Sequence, residues 1–147
     1  MPVHSFLRQP NELLLRGPII RASLHHPQVL IDILIKAGRQ VPSAIPVRAL
    51  IDTGAGVSVI KPSLATTLGL LQIGTTTVHS ASHPSSAPIY AAALSFPELN
   101  LRPVDPLRVA ALDLPGQDGI DMLIGREVMS RWLFIYTGFI AQYTLAD

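Results

Sequence analysis

The stretch Ala49-Leu-Ile-Asp-Thr-Gly-Ala-Gly-Val-Ser-Val-Ile60 decides the reading of this chain. Val47-Arg-Ala-Leu-Ile51 has the character of a strand and runs straight into Asp52. Small residues follow at once, Thr53-Gly-Ala-Gly56, and then a second apolar strand from Val57 to Ile60. A carboxylate so placed stands at the edge of a core, beside a turn. Thr53 can hydrogen-bond locally, and Gly54 with Gly56 lets backbone approach both the carboxylate and a ligand. Asp-Thr-Gly is also ordinary turn chemistry, so the surrounding sequence has to discriminate.

The 147 residues amount to one domain, with 48% hydrophobic and only 14% charged residues. Disorder is not expected from that balance. Eleven basic and ten acidic residues without a run of either sign argue against an extended nucleic-acid surface or a polybasic membrane patch. Absent cysteine excludes disulfides, thiolate metal sites and cysteine nucleophiles. No secretory apolar segment fits the first 24 residues, which carry Arg8, Glu12, Arg16 and Arg21, and no stretch suits a spanning helix. The expectation is a soluble, cytoplasmic protein. Thirteen prolines make long helices improbable and favour a mostly β domain.

Working outward, Lys61-Pro-Ser-Leu-Ala-Thr-Thr-Leu-Gly69 reads as a short helix, with Pro62 in its first turn and Gly69 at its C-terminal cap. Gly74–His79 and Pro88–Phe96 read as strands of a long hairpin with a polar tip. Leu107–Leu112 reads as another strand. Ile120-Asp-Met-Leu-Ile-Gly125 reads as a buried strand and turn, followed by a short helix over Arg126–Trp132. Leu133–Tyr136 and Phe139–Leu145 form a closing hairpin. Upstream, the β-branched run Val29–Ile35 is expected to be a strand with Asp32 facing solvent. Residues 1–16 are expected to form an arm or an added edge element, and 17–147 the domain proper.

Two segments, Ile51-Asp-Thr-Gly-Ala55 and Leu123-Ile-Gly-Arg126, stand in an order that resembles the retroviral-type (retropepsin-like) aspartic proteases. The likeness covers about residues 28 to 145. It implies a closed β-barrel with a flap hairpin, one or two short helices and a two-fold homodimer. It implies that Asp52 is the catalytic carboxylate. Thr53 would lock two active-site loops together, Gly54 would hydrogen-bond substrate backbone beside Ala55 and Gly56, and Gly125 would support the loop from behind. Val78–Ile89 would be the flap, with Ser80, Ala81 and Ser82 near its tip. Viral members commonly carry an acid where this chain has Gly56, paired with the later arginine. Arg126 must therefore find another partner, such as Glu127 or a chain terminus.

Peptide hydrolysis by carboxylates uses two groups about 3 Å apart that share one proton. The sequence holds one Asp-Thr-Gly. Asp121 lies on an apolar strand but lacks a glycine turn, so a second copy of Asp52 at a homodimer axis is the economical solution. The closing hairpin, with Phe134, Ile135, Tyr136, Phe139 and Tyr143, is a candidate for part of that interface or else an ordinary core hairpin.

The resemblance implies an aspartic endopeptidase acting on polypeptide substrates, with no cofactor, no metal, no nucleic acid and no membrane. The alternative is a catalytically silent dimerisation or peptide-binding module on the same fold. Gly54-Ala-Gly56 lacks the third glycine and the long helix of a dinucleotide site. His25-His26 are adjacent, and His79 and His83 fall in the hairpin tip, so the histidines are expected in loops or facing solvent rather than on a metal.

Overall fold

The computed structural model describes residues 1–79 and 84–147. Strand β1 (Val3–Leu7) and helix α1 (Pro10–Arg16) precede β2 (Ile19–His25) and α2 (Gln28–Lys36). Then come β3 (Ile45–Ile51), β4 (Ser58–Ile60), α3 (Pro62–Leu68), β5 (Leu71–His79) and β6 (Pro84–Ser95). The chain ends in β7 (Val104–Ala111), β8 (Met122–Ile124), α4 (Arg126–Met129), β9 (Leu133–Thr137) and β10 (Gln142–Ala146).

Six strands close into a barrel in the order β2-β3-β8-β4-β7-β6, sealed by pairing of β2 with β6, and β5 continues along β6 outside the ring. The β3–β8 and β4–β7 pairs are parallel and the other pairs antiparallel. Pro46 is accommodated because β8 pairs only with residues 49–51 of β3, leaving the proline with a partner on one side alone.

Two-residue alternation sorts side chains to the two faces of this wall. Ile60, Val109, Met122 and Ile124 point into the main core with Leu24, Val47, Ala49 and Leu94. Their neighbours Val59, Ala110 and Leu123 face the other way and join Ala87 and Ile89 in a second apolar cluster, edged by Val57, Val78, Leu112 and Leu114. That second cluster underlies the site described below.

A separate three-stranded sheet, in the order β1-β10-β9, flanks the barrel. Its inner side joins the main core through Tyr143 and Leu145, and Leu13 of α1 is buried there too. Phe6 stacks on Tyr143 at 4.7 Å, and Tyr143 donates a hydrogen bond to the Ile19 carbonyl at 2.5 Å. Tyr143 is therefore core rather than surface, and burial raises its hydroxyl pKa above the ordinary value.

Three expectations are corrected. Residues 28–36 are the helix α2, not a strand. Both edges of β2 are taken by β3 and β6, and the following segment satisfies its backbone within the helix. Half-buried Leu30, Ile31 and Leu34 follow the helical spacing, and Asp32 faces solvent from a helix, accepting a hydrogen bond from Gln28 Nε2 at 2.9 Å. Short α-helices number four among the described residues, since α1 and α2 add to α3 and α4. His26 does lie in a connection, between β2 and α2, but it is buried rather than facing solvent, its Nε2 2.8 Å from the Leu68 carbonyl oxygen. Helix α3 ends as its sequence suggests: Gly69 adopts the left-handed conformation, with φ 62° and ψ 42°.

Candidate active site

The chain leaves β3 at Ile51 and re-enters the barrel at Ser58, yet β8 lies between β3 and β4. The connection 52–57 must therefore pass over the C-terminal end of β8, where Gly125 sits. A Cβ at Gly125 would lie 2.7 Å from the Val57 carbonyl carbon and 2.9 Å from the Ser58 nitrogen, and would collide with a Glu127 carboxylate oxygen. Only glycine lets the two backbones approach so closely.

The crossing is braced from both ends. The Asp52 N–H donates to the Ile124 carbonyl at 3.0 Å, extending the β3–β8 ladder by one rung. The Arg126 N–H donates to the Ala55 carbonyl at 2.9 Å, and its Nη1 donates to the Thr53 carbonyl at 2.8 Å. Glu127 Oε1 accepts the Ser58 N–H at 2.6 Å, and Ser58 Oγ accepts the Gly125 N–H at 3.0 Å. Glu127 Oε2 is buried with no hydrogen-bond partner among the described residues.

Arg126 thus finds a backbone carbonyl, not the acidic partner expected for it. Gly56 leaves open the space beside the guanidinium, since a Cβ there would stand 3.5 Å from Nη2. Glu127 is committed to the loop's far end. The Ser58–Glu127 brace had one sequence signal, an acid directly after Gly125-Arg126.

Asp52 stands half-buried at the start of this loop, with Oδ1 accepting the Gly54 N–H at 2.8 Å. It opens into a cleft of about 610 Å³. Gly54, Ala55, Gly56 and Arg126 line it on the loop side, while Thr77, Val78 and His79 of β5 form the facing wall. The second apolar cluster supplies its floor through Val57, Val59, Leu114 and Leu123. A half-buried carboxylate above an apolar channel suits an extended chain that alternates side chains into the floor. Thr53 is exposed on the loop rather than in the lining.

Of the expected flap, β5 and β6 pair from Leu71 opposite Ala91 to His79 opposite Pro84. The expected tip residues Ser80, Ala81 and Ser82, with His83, lie outside the described residues. The rival acid Asp121 is not in the cleft lining; its Oδ2 accepts the Arg48 N–H at 2.9 Å and its Oδ1 lies 3.5 Å from Lys61 Nζ. Asp113, which sequence reasoning did not single out, does line the cleft. No group of three or more histidine and acidic side chains able to hold a metal ion occurs among the described residues. Among the described residues, no helix is long and apolar enough to cross a membrane.

Residues 40–128 match the aspartyl protease family. Among solved structures, the chain is similar to a retropepsin-like aspartic protease from Rickettsia conorii, with a TM-score of 0.53 and 16% sequence identity. That similarity covers 97% of this chain and 90% of the other, and at this identity it establishes a shared fold. A search of curated protein sequences gave no match.

Proposed function

The chain belongs to the aspartyl protease family and has the retropepsin-like fold, and from that premise we propose that it is an aspartic endopeptidase whose working form is a homodimer. The observation that carries the proposal is the position of Asp52, half-buried at the mouth of a substrate-sized cleft with one oxygen held by Gly54. The cleft supplies one such aspartate, and hydrolysis needs a proton acceptor for water and a donor for the carbonyl oxygen or leaving amine. A second Asp52 across a two-fold axis completes the pair. The two carboxylates share one proton, activate water between them, and favour activity on the acidic side of neutrality.

Strand β9 supports the dimer. Among the described residues it has a neighbour only on its β10 side. Leu133, Ile135 and Tyr136 are about half exposed, and Phe139 beyond them is 91% exposed. An unpaired, apolar strand edge invites pairing with another chain, and α4 leads to it directly from the rear of the Asp52 loop. Of the hairpin residues expected at an interface, Ile135, Tyr136 and Phe139 are thus available, whereas Tyr143 is committed to the core.

Comparison of wild type with Asp52→Asn on a peptide library tests the proposal. Asparagine retains an oxygen for the Gly54 N–H, so the loop is kept while the general base is lost. Cleavage should fall by at least about 10²-fold, the usual size of such a contribution, and a statine-type inhibitor should suppress the wild-type activity. Equal cleavage by both proteins rejects the assignment, and peptide binding without any cleavage favours a silent binding module.

A further inference from the structure

Asp113 stands in the cleft wall where the hydrolytic chemistry gives it no task. It lies just past the end of β7, on a segment tied down at both sides: the Leu112 N–H donates to the Ile60 carbonyl at 3.0 Å, and the Leu114 carbonyl accepts the Gln117 N–H at 3.2 Å. Leu112 and Leu114 are half-buried against the second apolar cluster, and Asp113 between them is exposed. Packing thus holds a charged group at a fixed place on the rim of an otherwise apolar floor.

The charges around it differ in placement. Arg126 also lines the cleft and keeps its positive charge, but it belongs to the Asp52 loop side, where its Nη1 donates to the Thr53 carbonyl at 2.8 Å. Asp52 is held at one oxygen by Gly54. Asp113 makes no ion pair among the described residues, and among them it is the only carboxylate besides Asp52 that lines the cleft. An extended peptide that seats an apolar side chain over Leu114 and Leu123 directs a neighbouring side chain to the rim, because successive side chains alternate. A guanidinium or ammonium there meets an opposite charge beside a low-dielectric surface, and a carboxylate there meets repulsion.

We propose that Asp113 makes the cleft selective for peptides carrying arginine or lysine beside the apolar residue it anchors. This rests on the reading of the cleft as a peptide site, and it goes further by naming the substrate's charge. The preference should be moderate, since the rim is open to solvent, and should weaken as salt screens the pair.

The test uses full-length protein and three peptide sets with an apolar anchor, differing only in Arg, Gln or Glu at each flanking position. Wild type should show, at one position, about a fivefold higher kcat/KM for Arg than for Gln, with Glu poorer still. Asp113→Asn should bring the Arg-to-Gln ratio near one, and Asp113→Lys should reverse the order in favour of Glu. The same peptides are titrated by fluorescence anisotropy onto Asp52→Asn and onto the double variant that adds Asp113→Asn. If wild type cleaves nothing while binding retains the Arg preference and loses it with Asp113, protease action fails and the charge selectivity stands. A preference that survives Asp113→Asn, or no preference at any position in either assay, overturns the proposal. So does a loss of cleavage on Asp113→Asn that is equal for all three peptide sets, which would place Asp113 in the chemistry instead.

Discussion

The loop over Gly125 and the edge strand β9 treat their backbone in opposite ways. In the loop, Asp52, Ser58, Gly125 and Arg126 all place their N–H groups within the same chain, and two side chains, Ser58 and Glu127, serve only to hold the crossing in shape. Along β9 one whole edge has no partner among the described residues, and large apolar side chains face outward beside it. The first region is finished within one chain and the second is not. The difference fits a protein whose individual chain shapes half of an active site with care and leaves the other half to association.

The finished region should be the more sensitive to small changes. Gly125→Ala forces a methyl group against the backbone of Val57 and Ser58, so thermal or denaturant unfolding should show a loss of about 1–3 kcal/mol. A variant as stable as wild type would mean that the crossing is looser than its geometry implies. The unfinished region should respond in assembly instead of folding. Ile135→Lys places a charge on the outward side of β9, and light scattering or sedimentation should show dimer dissociation at least about tenfold more favourable, with the monomer still folded. A dimer of unchanged affinity would move the interface elsewhere.

The smallest effect is expected at an ion pair beside the start of β9. The Arg102 guanidinium donates through Nε to Asp147 Oδ1 at 2.8 Å, and the Arg102 N–H donates to Oδ2 at 2.6 Å. These bonds hold the Asp147 carboxyl below its ordinary value of 3.8. A depressed carboxylate stabilises the folded state above that ordinary value, and the contribution is lost as pH falls through the lower, folded value. Melting temperatures of wild type and Asp147→Asn should therefore differ slightly near neutrality and converge in strong acid. The difference should be small because Arg102 is largely exposed, and one that grew toward low pH would contradict the assigned sign.

How far the sequence could be read follows from which signals were local. The strand into Asp52, the turn after it and the helix ended by Gly69 are local patterns, so β3 and α3 were legible. Ile120–Gly125 was legible as a strand because glycine ended an apolar run. Val29–Ile35 is the hard case: its β-branched residues favour a strand in isolation, whereas its half-buried residues Leu30, Ile31 and Leu34 follow the helical spacing seen in α2. Asp113 was not legible at all, since nothing in Leu112-Asp-Leu114 tells that β7, with Leu112 bonded to Ile60 of β4, will carry it to the cleft wall. The Arg126 contact to Thr53 was hidden for a similar reason: a carbonyl leaves no mark in the sequence, whereas an acidic partner would have done so.

One mixing experiment bears on the two-chain site most directly. Wild type and Asp52→Asn chains are combined in known proportions under conditions that exchange subunits, at constant total protein, and peptide cleavage is measured. If each site needs an Asp52 from both chains, activity follows the square of the wild-type fraction, and an equal mixture retains about one quarter of the activity. Activity that instead falls in direct proportion, leaving about one half, would mean that each chain works alone and would contradict the shared carboxylate pair.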